Sequence, residues 1–92
     1  MTRYLVEVPH EARKEACDRA VRVFMETGSH FMTNADWGCR DGVHKAWFIV
    51  DADNREEARG ILPPLFRQTA TIIELQRFLP EDVDNLRRHH EG

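Results

Sequence analysis

Hydrophobic and polar positions change their period several times along this chain. From Arg3 to Val8 they alternate. Tyr4, Val6 and Val8 point one way and Leu5 and Glu7 the other, the pattern of a half-buried strand that Pro9 ends. From Glu11 the spacing becomes helical. Ala16, Cys17, Ala20, Val21 and Phe24 form one apolar stripe among charged residues, which predicts a helix over Glu11 to Thr27 with Gly28 as its left-handed C-terminal cap. Period two returns from His30 to Trp37. Phe31, Thr33, Ala35 and Trp37 take one face of this predicted strand and His30, Met32, Asn34 and Asp36 the other. Asp41-Gly42 is a type I′ hairpin signal, since both central residues of that turn need positive φ. His44 to Val50 is then the returning strand. Counting outward from the turn pairs Cys39 with His44, Trp37 with Ala46 and Asp36 with Trp47.

Asn54 with Glu57 three residues on predicts a capping box, followed by a helix burying Ala58, Ile61, Leu62 and Leu65. Pro63-Pro64 must break it, and Pro64 suits the start of a fresh turn through Phe66. Thr71 to Phe78 is the fourth predicted strand, with Ile73 and Leu75 on one face and Ile72, Glu74, Gln76 and Phe78 on the other. Residues 1–79 thus form one domain. Residues 80–92 form a tail, in which Glu81 to Arg88 is a short helix anchored by Val83 and Leu86.

The order β-α-β-β-α-β predicts a ferredoxin-like α+β sandwich, a four-stranded antiparallel sheet with two helices on one face. Its uncovered face carries Leu5, Met32, Trp47, Ile49, Ile72 and Phe78, too apolar a patch to leave in water. Two copies packed sheet to sheet, a homodimer enclosing a cavity, resolve this. The element order and the mixed open face resemble the dimeric α/β-barrel superfamily, which includes muconolactone isomerase-like, antibiotic-biosynthesis monooxygenase-like and YCII-like proteins. Gly28-Ser29-His30-Phe31, Ala35-Asp36-Trp37-Gly38-Cys39, Asp41-Gly42, His44-Lys45-Ala46-Trp47 and Leu62-Pro63-Pro64 are similar to a group of short bacterial proteins of unknown function. A related group of small ferredoxin-like proteins is linked to nickel. The resemblance implies a fold and a dimeric barrel. It transfers no catalytic motif residue by residue.

Composition narrows the function classes. The 92 residues are 41% hydrophobic and 32% charged, an ordinary globular mix for one small domain. A net charge of −3 without a clustered basic face argues against nucleic acid. The longest apolar run, Ala46 to Val50, is far too short to span a membrane. Two cysteines and no export signal predict a reduced, cytoplasmic protein. Cys17 in mid-helix and Cys39 near a hairpin tip look ill placed to pair, and Cys17 reads as a small core residue. There is no phosphate-binding glycine loop, nucleophile elbow or HExxH motif, so no organic cofactor is required.

Two constellations carry candidate chemistry. In a closed barrel cavity Glu7, Asp36 and Glu74 would be desolvated and close together, which raises carboxylate pKa values and suits one of them as a general base. His30 or Lys45 would be the acid, Asn34 and Lys45 would hold a carbonyl or enolate oxygen, and Trp47 and Phe78 would form the wall. The reaction would be proton transfer on a small carbonyl compound. The plainer alternative is that Glu7 and Lys45 pair across adjacent strands. The second constellation is Cys39 opposite His44, with Cβ atoms ~5 Å apart. That pair suits a reactive thiolate or two ligands for Zn, Ni or Cu, with Asp36 and His30 completing four. Strict alternation puts Asp36 and His30 on the opposite face from Cys39, and only a bulge at Gly38 would bring them together. The plainer alternative is a packed thiol beside a solvated histidine.

Overall fold

The computed structural model describes residues 1–27 and 29–83. Strand β1 (Thr2–Pro9) lies in the middle of a four-stranded antiparallel sheet. On one side it pairs with β3 (Lys45–Ala52), on the other with β4 (Thr71–Leu75), and the two-residue β2 (Asp36–Trp37) adds to the outer edge of β3. The order is β2-β3-β1-β4. Alternation in β1 puts Tyr4, Val6 and Val8 against one face, opposite Val50, Phe48 and Ala46 of β3. Helices cover that face. They are α1 (Lys14–Thr27), α2 (His30–Thr33), α3 (Arg55–Gly60) and α4 (Pro64–Arg67). Phe24 of α1 is the hub of the core, with edge-on rings of Trp37, Phe48 and Phe66 at 4.9, 6.2 and 5.4 Å between centroids. The fold is therefore α+β. No helix among the described residues is long and apolar enough to cross a membrane.

Local chemistry explains the helix ends. The Asn54 side chain accepts a 2.8 Å bond from the Glu57 N–H, as the sequence predicts for an N-cap. The prolines split the second helical region in two, with Pro64 opening α4. Arginines hold the break together. Arg59 donates to the Ala70 carbonyl (2.9 Å), and Arg67 donates to those of Leu62 (2.6 Å) and Gly60 (3.2 Å), so carbonyls left over at the helix ends are satisfied. The break also resets the helical phase. Phe66 is buried and Leu65, expected in the buried stripe, is 64% exposed.

Three further expectations are corrected. The segment from His30 is not a long strand. It makes one helical turn, and only Asp36 and Trp37 pair with β3. The Ser29 carbonyl accepts from the Met32 and Thr33 N–H groups, while the Thr33 hydroxyl and the Asn34 amide both donate to the His30 carbonyl. Such local side-chain bonds compete with a ladder, and the turn drops Met32 into the core at 1% exposure rather than onto the open face. The second correction concerns the hairpin. Trp37–Ala46 and Asp36–Trp47 do pair as counted, but residues 39–41 form a 3-10 turn and only Gly42 has positive φ (81°). Cys39 and His44 are therefore not ladder partners. Gly38 is fixed by close approach, since a Cβ there would lie 2.8 Å from the Val43 carbonyl oxygen and 3.0 Å from the Trp47 ring.

The third correction is the phase of β4. Ile72 pairs with Val6 on the core face (7% exposed), and Ile73 pairs with Leu5 on the open face (42% exposed). Two adjacent isoleucines satisfy either phase, so hydrophobicity alone cannot choose between them. Glu74 therefore lies opposite Tyr4, on the helix side, and not beside Glu7. The strand ends at Leu75, which leaves Phe78 beyond it and exposed. Of the expected tail helix Glu81 to Arg88, the start is a 3-10 turn over Pro80–Asp82, and the part beyond Val83 lies outside the described residues, as does the expected Gly28 cap.

Candidate metal centre

Three chain segments meet at one corner of the sheet. Pro9 pairs with Lys45, so the residues just outside that pair, His10 and His44, are brought together. The His10 N–H donates to the His44 carbonyl at 3.1 Å, which extends the ladder by one step, and their rings stand edge-on with centroids 5.6 Å apart. The third segment is the 3-10 turn. The Gly38 N–H donates to the Lys45 carbonyl, and the Gly38 carbonyl accepts from the Asp41 and Val43 N–H groups. This folds Cys39 back over the strand ends. Its Sγ lies 3.2 Å from His10 Nε2.

The ligand atoms offered by His10, Cys39 and His44 all lie within 4.8 Å of one another, and all three residues are half-buried. A centre with metal–nitrogen bonds of ~2.0–2.1 Å and a metal–sulfur bond of ~2.3 Å needs nitrogen and sulfur about 3.5 Å apart. The side chains are thus close to the required spacing. Buried polar side-chain atoms normally find partners. Among the described residues, those without one are His10 Nδ1, His44 Nδ1 and Trp37 Nε1, all at this corner, with the Trp37 ring 6.0 Å from that of His10.

Burial, and then the neighbouring His44, hold the His10 pKa below its ordinary value. Burial, and then the Cys17 thiol beside it, push Cys39 up to about 11. At neutral pH the corner is therefore a neutral imidazole facing a protonated thiol. That is the reverse of what a nucleophilic thiolate needs.

The remaining sequence candidates lie elsewhere. His30, Asn34, Asp36 and Trp47 line an open hollow of about 530 Å³ with Leu5, Phe31 and Ile49. Asp36 lies beside Trp47 in the ladder, and Glu7 lies on Trp47's other side. The Trp47 indole donates to Glu7 Oε1 at 3.0 Å, and Lys45 Nζ is 3.5 Å from Oε2. Both carboxylate oxygens are thus engaged by neighbouring strand residues, and the Asn34 amide is turned onto the His30 carbonyl. Neither Asp36 nor His30 joins Cys39, because no bulge at Gly38 shifts the phase. Glu74 and Phe78 take no part in the hollow.

Two participants escaped the sequence reading. His10 follows the proline that ends a strand and looks like a loop residue. Its only signal was register, since extending the β1–β3 pairing past Pro9 reaches His44. Cys17 falls in the apolar stripe of the predicted helix, where periodicity makes it a core residue far from Cys39. It is half-buried, its thiol neighbours that of Cys39, and the two line one small hollow with Asp18, Val21, Trp37 and Arg40. Comparison of the chain with protein-family models, curated proteins and solved structures gave no match.

Proposed function

We propose that this protein binds a transition-metal ion through His10, Cys39 and His44. The observation that carries the reading is the convergence of two imidazoles and a thiol, from three separate segments, within 4.8 Å. A thiolate with imidazoles favours Zn, Ni or Cu over the hard, oxygen-seeking Mg and Ca. Binding expels the thiol proton, so a metal ion replaces the proton that burial otherwise keeps on Cys39. Three protein ligands leave a fourth position for water or another donor. The test is elemental analysis of untagged protein purified without chelator and then titrated with Zn, Ni and Cu. About one ion per chain is expected, lost in Cys39→Ser and weakened in His10→Ala and His44→Ala. Failure of the wild type to bind any of the three metals overturns the reading.

A second reading concerns the open face. The strand order β2-β3-β1-β4 is compatible with a ferredoxin-like sheet, and Ile49 and Ile73 stand more than 40% exposed there beside Leu5 and Trp47. These residues favour a homodimer packed sheet against sheet, with the hollow around Asp36 and His30 facing a small carbonyl ligand between the copies. Light scattering in line with gel filtration tests it. The dimer should dissociate in Ile73→Asp, and a monomeric wild type would overturn this second reading.

A further inference from the structure

Cys39 has two chemically different neighbours. His10 Nε2 lies at 3.2 Å from its sulfur, and the Cys17 thiol of α1 lines the same small hollow. Cys17 and Cys39 share the walls of one hollow of about 410 Å³, with Val21 and Trp37 as its apolar sides. Cys17 is anchored in the helix through its N–H, which donates to the Arg13 carbonyl at 3.0 Å, while Cys39 opens a short turn in a loop. One thiol thus sits on a helix and the other on a short turn packed beside it. Both are free and half-buried. Cys17 is not among the three mutually close donors, so it stands beside the centre rather than in it.

We infer that Cys17 and Cys39 form a reversible disulfide that discharges the metal centre. The inference rests on the metal reading above. Its chemistry is a two-electron oxidation by a hydroperoxide. The Cys39 sulfur, a thiolate while it holds the ion, attacks one peroxide oxygen, the O–O bond breaks, and Cys39 becomes a sulfenic acid as hydroxide leaves. The Cys17 sulfur then attacks Cys39 Sγ, the S–O bond breaks, and a water leaves with the Cys17 proton. One thiolate, one thiol and one hydrogen peroxide become one disulfide, one water and one hydroxide. A dithiol reductant reverses the result by exchange. A Cys39 sulfur bonded to carbon and to Cys17 is no longer a thiolate ligand. The ion is left with two imidazoles and dissociates. Oxidation therefore has two outputs from one residue, release of the metal and a covalent tie between α1 and the turn.

The experiment uses the full chain loaded with zinc and treated with hydrogen peroxide. Intact mass and non-reducing peptide mapping follow the thiols, and a chromogenic chelator follows zinc. The expected result is a Cys17–Cys39 linked peptide, a mass lower by two hydrogens, and one zinc released per disulfide, with both changes reversed by dithiothreitol. Cys17→Ser should bind zinc within about threefold of wild type, well short of the 10–100-fold cost of losing an outer-sphere partner, and should form no intramolecular disulfide. Cys17→Ala, which removes the polar atom, provides the same test should the serine disturb packing. Disulfide between chains only, or overoxidation of Cys39 without the Cys17 link, overturns the inference. So does a Cys17→Ser variant weakened tenfold or more, which would make Cys17 part of the metal centre, as an outer-sphere partner or a ligand, and not a bystander to it. A wild type that links Cys17 to Cys39 but never held zinc also overturns the switch, and then the fault lies with the metal reading and not with the pairing.

Discussion

The open face and the His10 corner both gather polar side chains around a tryptophan, yet they differ in how those groups are satisfied. On the open face Trp47 donates to Glu7, Lys45 covers its other oxygen, and Asn34 bonds a backbone carbonyl. Every donor named there has found an acceptor, as cross-strand neighbours commonly do. At the corner His10 and His44 each bury an Nδ1 with no partner, and the Trp37 indole N–H beside them, a donor only and no metal ligand, also lacks an acceptor. Leaving such a group unpaired costs roughly 1–3 kcal/mol, so the cluster is stabilised by whatever satisfies it. Proximity of polar residues is thus weak evidence for a ligand, and unsatisfied proximity is stronger.

The largest expected contrast is in metal affinity. Cys39→Ser should weaken zinc at least about 100-fold, while Asp36→Asn and His30→Ala, on the other face, should leave it within about twofold. Competition against a chromophoric chelator measures all three. Equal losses in Asp36→Asn and Cys39→Ser would erase the distinction between the two regions. A smaller effect is expected at Gly38, which joins them. A Cβ there meets the Val43 carbonyl and the Trp47 ring, and backbone cannot yield cheaply. Gly38→Ala should cost about 1–3 kcal/mol in urea denaturation and also displace Cys39. Gly60→Ala, with open space around its Cβ, is the control and should be neutral or slightly stabilising.

How far the sequence reveals each region follows from how its pattern is fixed. The faces of β1 and β3 were legible because Tyr4, Val6, Val8 and Ala46, Phe48, Val50 alternate without ambiguity. Asp36 opposite Trp47 was legible from counting, although the turn that closes the loop is of another type. The phase of β4 was not, because Ile72 and Ile73 are interchangeable to a pattern. The turn at His30 was not, because its alternation is also compatible with one helical turn once Met32 has a core to enter. Counting from Asp41-Gly42 pairs Cys39 with His44 in a register that does not form, and the two are near each other through the fold of the 3-10 turn. His10 required the register of two strands to be known beyond their ends, and Cys17 required the packing of α1 against that turn. Neither is written in local periodicity.

The metal-free protein should also show a pH signature specific to the corner. His10 has a lowered folded pKa, so between that value and the ordinary histidine value of ~6.5 the unfolded chain binds more protons. Its contribution is present above ~6.5 and is lost as the pH falls through that window. Cys39 is raised to about 11, so above its ordinary range the unfolded chain releases the proton first. That contribution is present at neutral pH and is lost as the pH rises towards 11. Denaturation midpoints across pH should fall at both ends, with the acid limb flattened in His10→Gln and the alkaline limb in Cys39→Ser. Limbs unchanged in those variants would assign the dependence to other groups.

The smallest effect is expected on the open face. Glu7 and Lys45 form an ion pair at 3.5 Å whose side chains are 26% and 41% exposed. Water screens such a pair, and holding the lysine in place costs side-chain entropy, so its net value should lie near 0.2–1 kcal/mol. The bond from the Trp47 indole to the same carboxylate is shorter and does not depend on the lysine. Glu7→Gln, Lys45→Met and the double variant form a cycle that separates the two. The coupling should be below about 1 kcal/mol and should shrink in high salt, while Glu7→Gln alone retains an oxygen for the indole. A coupling of several kcal/mol would mean that the carboxylate is shielded from water, as it would be between two packed sheets. This modest measurement on one chain would then report on the proposed sheet-to-sheet packing as well.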